Sequence, residues 1–333
     1  MKEWKRRYCK FCRLRDLMLD EVNWWWKVYY LVDYMFAYGC YKLGVEEYWN
    51  YRFDQLRRSG RKEFIVGGKR DRIYNICNQK EYRRLVFDKI EFNTLYDRFI
   101  KRRWINLSTC SFGEFNVFFD LLKEKQMIIK PTLGSEGGGV EIVKIAKEDD
   151  LFEWFTSLQT KLQKTKERWV GEELLVQSDE MRSFYPHAIN TLRIYTLLGA
   201  DQVTRIMGAA VRWGNNGSHT DNIHNGGIAA CVDVETGIVV SPGIDTNYKT
   251  YLCHPYSSKQ IIGYKIEHWD KILAVVTEAS RVLPQVRHVG WDVVIGKNSE
   301  IIILEGNSRP DPILVQLTNR KGIWNDYKRN IGK

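Results

Sequence analysis

Two segments far apart in the sequence carry side chains suited to phosphate and to a hard cation. Residues 127–142 read MIIKPTLGSEGGGVEI, with Gly134, Gly137, Gly138 and Gly139 inside six positions. Lys130 precedes these glycines, whereas the lysine of a P-loop follows them, and no GxGxxG is present. A glycine loop between two strands leaves backbone N–H groups facing a concavity that accepts an anion, and Lys130 adds charge at the strand end. A turn that binds nothing needs one glycine rather than four. The second segment, IIILEGNSRPD (301–311), follows GWDVVI (290–295). Asp292, Glu305 and Asn307 offer two carboxylates and an amide oxygen, hard ligands suited to Mg²⁺, which usually shares its shell with substrate phosphates. Glu305 and Asn307 are two apart and share one face of a strand; singly, Asp and Asn at strand ends are also turn formers. Arg193, in NTLRIYTLL (190–198), sets a guanidinium in an apolar strand, where it needs a core carboxylate or a phosphate. Asn225, in DNIHNGGIAA (221–230), lies in a donor-rich loop beside His224 that is equally readable as a plain turn.

These residues require a particular set of elements. QMIIK (126–130) and VEIVKI (140–145) read as a hairpin around 131–139. Residues 148–168 read as a helix with Leu151, Trp154, Phe155, Leu158 and Leu162 on one face, followed by a strand at 173–177. The C-terminal half is strand-rich, with strands predicted at 190–198, 205–213, 227–233, 291–296 and 299–305. A helix is predicted over 268–283, and Gly296-Lys297-Asn298 is a hairpin turn. Upstream, residues 1–60 and 80–125 read as helical, and FIVGG (64–68) as a short strand.

The net charge of +10 is concentrated at the front: residues 1–110 hold 25 Lys and Arg against 14 Asp and Glu, and the rest is nearly balanced. Such asymmetry points to an anionic partner or to a solvated basic face. The seven cysteines are odd in number and show no framework spacing. A lone CxxC at Cys9 and Cys12 does not complete a zinc set, so reduced thiols in the cytoplasm are expected. No apolar leader opens the chain. In VNWWWKVYYLVDYMFAYGCY (22–41), Lys27 and Asp33 interrupt the apolar run. Trp25, Tyr29, Val32 and Phe36 recur at helical spacing, which predicts an amphipathic helix packing that stripe on the body of the protein rather than on a membrane interface.

Taken together, DKIEFNTLY (88–96), IIKPTLGSEGGGV (128–140), LLVQ (174–177), NTLRIYTLL, DNIHNGGIAACVDVETG (221–237), HP (254–255), GWDVVI and ILEGNSRPD (303–311) resemble the ATP-grasp superfamily. Within it they are similar to the sugar-transfer-associated ATP-grasp group related to α-L-glutamate ligases. YGCYKLGVEEYWNYRF (38–53) is similar to the entry region of that group, so the likeness spans about residues 38–318 and leaves 1–37 unassigned. It implies an α+β fold in which two α+β lobes clasp ATP, with a helical N-terminal region at 1–80, a small lobe at 81–175 and a large lobe at 176–333. Lys89 and Lys130 would contact the ATP phosphates, and Gly134, Ser135, Gly137, Gly138 and Gly139 would close over them. Val176 and Gln177 would line the adenine site, with Asn225 also on the nucleotide. Arg193, Lys130 and Arg309 would be catalytic, Arg193 holding the transferred phosphoryl group. Asp292, Glu305 and Asn307 would bind Mg²⁺. One departure stands out: many ATP-grasp enzymes carry an acidic residue in the adenine hinge, where Gln177 and Ser178 stand here.

The activity implied is that of an ADP-forming ligase joining a carboxylate to an amine through an acyl phosphate, with a sugar or polysaccharide precursor as the acceptor. The alternative is an ATP-grasp kinase that phosphorylates a hydroxyl of an anionic or sugar substrate. ATP, a small carboxylate and an amine or sugar-linked acceptor are the expected partners. Peripheral contact with the inner membrane face through the basic, aromatic N-terminus is also weighed. Nucleic acid is not expected, because no basic–aromatic RNA motif is present.

Overall fold

The computed structural model describes residues 2–19, 21–122, 125–134, 139–145, 150–165 and 167–332. Ser135, Gly137 and Gly138 lie outside the described residues. The strands make two antiparallel sheets. The smaller contains β1 (Trp104–Asn106), β2 (Gln126–Pro131), β3 (Glu141–Lys144) and β4 (Trp169–Glu173) in the order β1-β4-β2-β3. Alternation along β2 turns Met127, Ile129 and Pro131 inward and leaves Ile128 and Lys130 on the opposite face. The inward face packs on Phe115, Phe119, Phe155, Leu158 and Leu162. Those rings come from two helices. Phe112–Asp120 opens with a Ser111–Glu114 capping box, and Leu151–Gln163 opens on the Asp150 side chain.

The larger sheet contains β5 (Thr191–Leu198), β6 (Thr204–Trp213), β7 (Ile228–Val232), β8 (Gly243–Ile244), β9 (Thr250–Tyr251), β10 (His288–Ile295) and β11 (Ile301–Asn307), in the order β11-β10-β5-β6-β7-β8-β9. Its middle strands are buried along almost their whole length, so they read as continuous apolar runs. The helix Trp269–Ala279 lays Ile272 and Val276 on one side of this sheet, as its spacing predicts.

Four expectations are corrected. The strand placed at 173–177 is β4 at 169–173; residues 174–176 have no regular structure, and Gln177 makes only an isolated bridge to Gly296. FIVGG is not a strand: the Ile65 backbone is satisfied by a side chain, donating to Gln316 Oε1 at 2.7 Å and accepting from Gln316 Nε2 at 3.1 Å. Within 80–125 the helices are short and β1 intervenes. Phe92, Tyr96, Phe99 and Ile100 pack into the core of the large sheet.

The fourth correction concerns the N-terminal helices α1 (Lys2–Met18), α2 (Trp24–Tyr41) and α3 (Val45–Asn50). The stripe expected to face inward faces out: Trp25 is 74% exposed, Tyr29 51%, Val32 60% and Phe36 40%. The opposite stripe, with Tyr34 and Ala37, is buried. Because α2 is apolar on both faces, polar contacts set its rotation. Asp33 accepts from Arg61 at 2.8 and 2.7 Å and from the Tyr48 hydroxyl at 2.7 Å, while Tyr34 stacks on Phe11 at 5.1 Å.

Candidate active site

The two sheets frame a cavity of about 460 Å³ whose lining includes Lys89, Lys130, Gly134, Arg193, Asp292, Glu305, Asn307 and Arg309. It thus gathers residues spread over more than two hundred positions of sequence. The register of the large sheet does much of this. Across one rung, Glu305 on β11 pairs with Asp292 on β10, which pairs with Arg193 on β5. An irregularity in β11 next to this rung leaves Leu304 without a partner on β10, and Leu304 lines the cavity.

Asp292 is held by two arginines. Arg193 donates to both its carboxylate oxygens, at 2.9 Å to Oδ2, and Arg212 Nη2 lies 3.0 Å from the same Oδ2. Arg212 also donates to Thr191 Oγ1 at 2.9 Å and lies 3.4 Å from Asp221. Burial alone would push the Asp292 carboxyl up, but the guanidinium groups of Arg193 and Arg212 hold it well below the usual carboxylate range. Glu305 behaves in the opposite way. Burial and then the charge of Asp292 push its carboxyl up, against the opposing pull of Lys89 and Lys130.

Lys130 projects from β2 and its ammonium lies 2.7 Å from Glu172 Oε2 on the neighbouring β4. Glu172 is buried and also accepts from Arg102 at 3.0 and 3.1 Å and from Asn93 at 3.0 Å. Arg102 reaches on to the Leu304 carbonyl at 3.0 Å, so one buried cluster ties β2 and β4 to the strand that carries Glu305. Lys89, at the start of the helix Lys89–Leu95, donates from Nζ to the Gly134 carbonyl at 3.1 Å and from its backbone N–H to Thr132 at 3.1 Å. Burial lowers its pKa. Gly139 returns the chain to β3 with φ +73°, and a Cβ there would sit 3.1 Å from the Pro131 ring.

The remaining residues divide by position. Arg309 lies with its guanidinium 5.2 Å from the Tyr74 ring centroid and 3.5 Å from Asp71. Asn225 donates to Thr220 Oγ1 at 3.1 Å, next to the cavity lining formed by Asn222, Ile223 and His224. Val176 is exposed and borders a separate cavity with Lys101, Glu173 and Leu175. Gln177 is buried, and its amide is spent on structure: Nε2 donates to Ala188 at 2.6 Å, and Oε1 accepts from the Asn190 backbone at 3.0 Å. Acidic side chains do stand at the link between the sheets, as Glu172 and Glu173 at the end of β4. Sequence reasoning passed over Glu172, Arg212 and Asp221. Glu172 was missed by placing the strand four residues late, and Arg212 by reading RIMGAAVRW only as a strand.

As donors for Mg²⁺ the acidic residues fit unevenly. Asp292 has both oxygens committed to arginines. Glu305 and Asn307 share a face of β11, and the Asn307 oxygen also caps the Arg309 N–H at 2.8 Å. Among the described residues no group of three His, Cys, Asp or Glu side chains is arranged to hold a metal. One carboxylate and one amide oxygen, completed by phosphate oxygens and water, is a donor set Mg²⁺ accepts.

Comparison with solved structures finds similarity to an ATP-grasp ligase, PsnB, complexed with a minimal precursor (11% identity, 76% of this chain and 63% of that chain, TM-score 0.44). It also finds biotin carboxylase from Campylobacter jejuni (11% identity, 77% and 48%, TM-score 0.48) and the D-alanine-D-alanine ligase from Coxiella burnetii (10% identity, 74% and 53%, TM-score 0.38). The chain spans about half the length of the solved structures it matches. A search of curated proteins returned no sequence match. A family model described as sugar-transfer associated ATP-grasp matches residues 69–333. That match covers most of the sequence and all of the residues that line the cavity: the chain belongs to the sugar-transfer associated ATP-grasp family.

Proposed function

We propose that this protein is an ATP-dependent, ADP-forming ligase that joins a carboxylate to an amine, with a sugar-linked molecule as acceptor. The observation that carries this reading is that Lys89, Lys130 and the Arg193–Asp292–Glu305 rung line one cavity. Cations from both sheets meet in one space, as transfer of a phosphoryl group between two anions requires. A carboxylate oxygen attacks the γ-phosphorus and ADP leaves. The amine then attacks the acyl carbon, phosphate leaves, and the amine gives up a proton. Lys89 and Lys130 neutralise the phosphates, and Arg193, oriented by Asp292, neutralises the transferred group. Glu305 and Asn307 would hold Mg²⁺, which would supply neutralisation of phosphate charge when bound. The glycine loop from Gly134 to Gly139 would exclude water from the acyl phosphate. A second cavity of about 580 Å³ meets the first at Ile223, His224, Ile313 and Leu314, and its walls include Arg13, Glu46 and Tyr248. It offers the acceptor a polar approach to the phosphates.

The test incubates the protein with Mg-ATP, a panel of amino acids and nucleotide sugars, and scores ADP and phosphate. Free phosphate released in step with amine consumption supports the ligase. Phosphate retained on a hydroxyl of the acceptor replaces it with the kinase reading, and absence of ADP across the panel counts against both.

A further inference from the structure

α2 exposes an apolar face that no described residue covers. Trp25, Val28, Tyr29, Val32, Met35 and Phe36 follow i, i+3, i+4, i+7, i+10 and i+11 and form one stripe along the 18-residue helix. Trp24 and Trp26 are exposed as well, so indole rings surround the first turn instead of lying in one flat patch. Apolar side chains at this density are rare on an unpartnered surface.

The charges beside the stripe indicate what covers it. The only carboxylate in α2 is Asp33, which is turned inward to Arg61 and Tyr48, so the outward face has no negative group. A groove along the stripe brings Arg57 and Arg58 beside Tyr29, Val32 and Phe36, with the Arg58 guanidinium 4.8 Å from the Phe36 ring centroid. Arg6, Arg7, Lys10 and Lys42 line a depression on the Tyr34 and Tyr38 side of α2, away from the stripe. The carboxylates there are already paired, Glu3 with Arg7 at 2.9 Å and Glu46 with Lys10. No helix among the described residues is long and apolar enough to cross a membrane.

We propose that the outward face of α2 is a docking surface for an anionic lipid bilayer. The helix lies in the interface plane, with its Trp and Tyr rings at headgroup depth and the flanking arginines on lipid phosphates. A protein partner would be met by an apolar patch with a mixed-charge rim. Here the rim is basic and the aromatics are the amphipathic types that favour a bilayer interface. The surface would hold the enzyme against an acceptor carried at the membrane, but the proposal does not depend on the ligase reading.

The test is flotation of the full chain with vesicles of phosphatidylcholine alone or with added phosphatidylglycerol, at low and high salt. Binding to the anionic vesicles, a blue-shifted tryptophan emission and weakening by salt are expected. Combined Tyr29→Ser and Val32→Ser substitution should abolish it. Arg57→Gln and Arg58→Gln should weaken it by roughly five-fold each. These positions are exposed, so circular dichroism should be unchanged. No binding above the phosphatidylcholine background would overturn the proposal. So would sedimentation showing that the stripe variants instead dissolve a dimer of this chain.

Discussion

Asp292 and Glu305 face each other directly across β10 and β11, yet their surroundings drive the two carboxyl groups in opposite directions. Asp292 is locked as an anion by two arginines, and Glu305, raised by burial and by Asp292 itself, is opposed only through space by Lys89 and by Lys130 of the other sheet. One carboxylate is structural charge that orients Arg193; the other is the one proposed above to meet a cation with phosphate.

Asp292→Asn keeps the shape and removes the charge, leaving Arg193 and Arg212 buried against each other. Breaking such a buried cluster costs about 3–5 kcal/mol, so urea unfolding should show a marked drop. Glu305→Gln relieves like-charge repulsion and should leave stability level or slightly raised, while Mg-dependent ADP formation falls by orders of magnitude. Equal losses of stability in the two variants would contradict the division of roles.

Lys130 and Glu172 make a second contrast. Lys130→Met takes one partner from Glu172 but leaves it Arg102 and Asn93. Stability should change little, and the KM for ATP should rise at least ten-fold if Lys130 holds phosphate, an effect of about 1.4 kcal/mol. Glu172→Gln strands Arg102 and Lys130 together in a buried place and should cost stability first, about 3 kcal/mol. Paired melting curves and ATP titrations separate the two effects.

The sequence exposed what depends on local pattern. The β5, β6, β10 and β11 strands, the 269–279 helix and the pairing of β2 with β3 follow from apolar runs and amphipathic spacing. So did Lys130, Arg193 and Glu305, because a charged residue at the end of, or inside, an apolar strand is conspicuous. What stayed hidden depends on register and rotation. Arg212 reaches Asp292 only because β6 lies beside β5, and Glu172 meets Lys130 only because β4 pairs with β2. Gln177 read as a nucleotide contact because nothing in LLVQS says that its amide caps Asn190. For α2 the pattern offered two apolar faces, and only Arg61, 28 residues from Asp33, decided which one is buried.

Gly306 separates Glu305 from Asn307 and points the other way. A Cβ there would lie 2.8 Å from Val86 Cγ1 and 2.9 Å from Phe92 Cε2. Gly306→Ala should therefore push β11 off the helices beneath it, at about 1–3 kcal/mol for overpacking, and shift both proposed metal donors. The expected result is a lower melting temperature together with a raised Mg²⁺ requirement for turnover. Trimming Val86 to Ala in the same chain should restore part of both, and absence of any rescue would place the damage elsewhere.

His288 should set the acid limit of the fold. It is buried at the start of β10, with Nδ1 2.9 Å from the Thr196 carbonyl and Nε2 3.5 Å from the Tyr327 hydroxyl. Burial lowers its pKa from 6.5 to about 4. The unfolded chain thus binds a proton that the folded chain refuses between those values, so stability is full above the unfolded pKa and falls as pH drops toward 4. A shift of this size corresponds to about 3 kcal/mol. Urea midpoints measured from pH 7 to pH 4 should decline accordingly. In His288→Gln the midpoint is expected to be lower at pH 7 and nearly flat over the same range. A wild-type decline that persists unchanged in the variant would assign the acid sensitivity to the carboxylates around Asp292 instead.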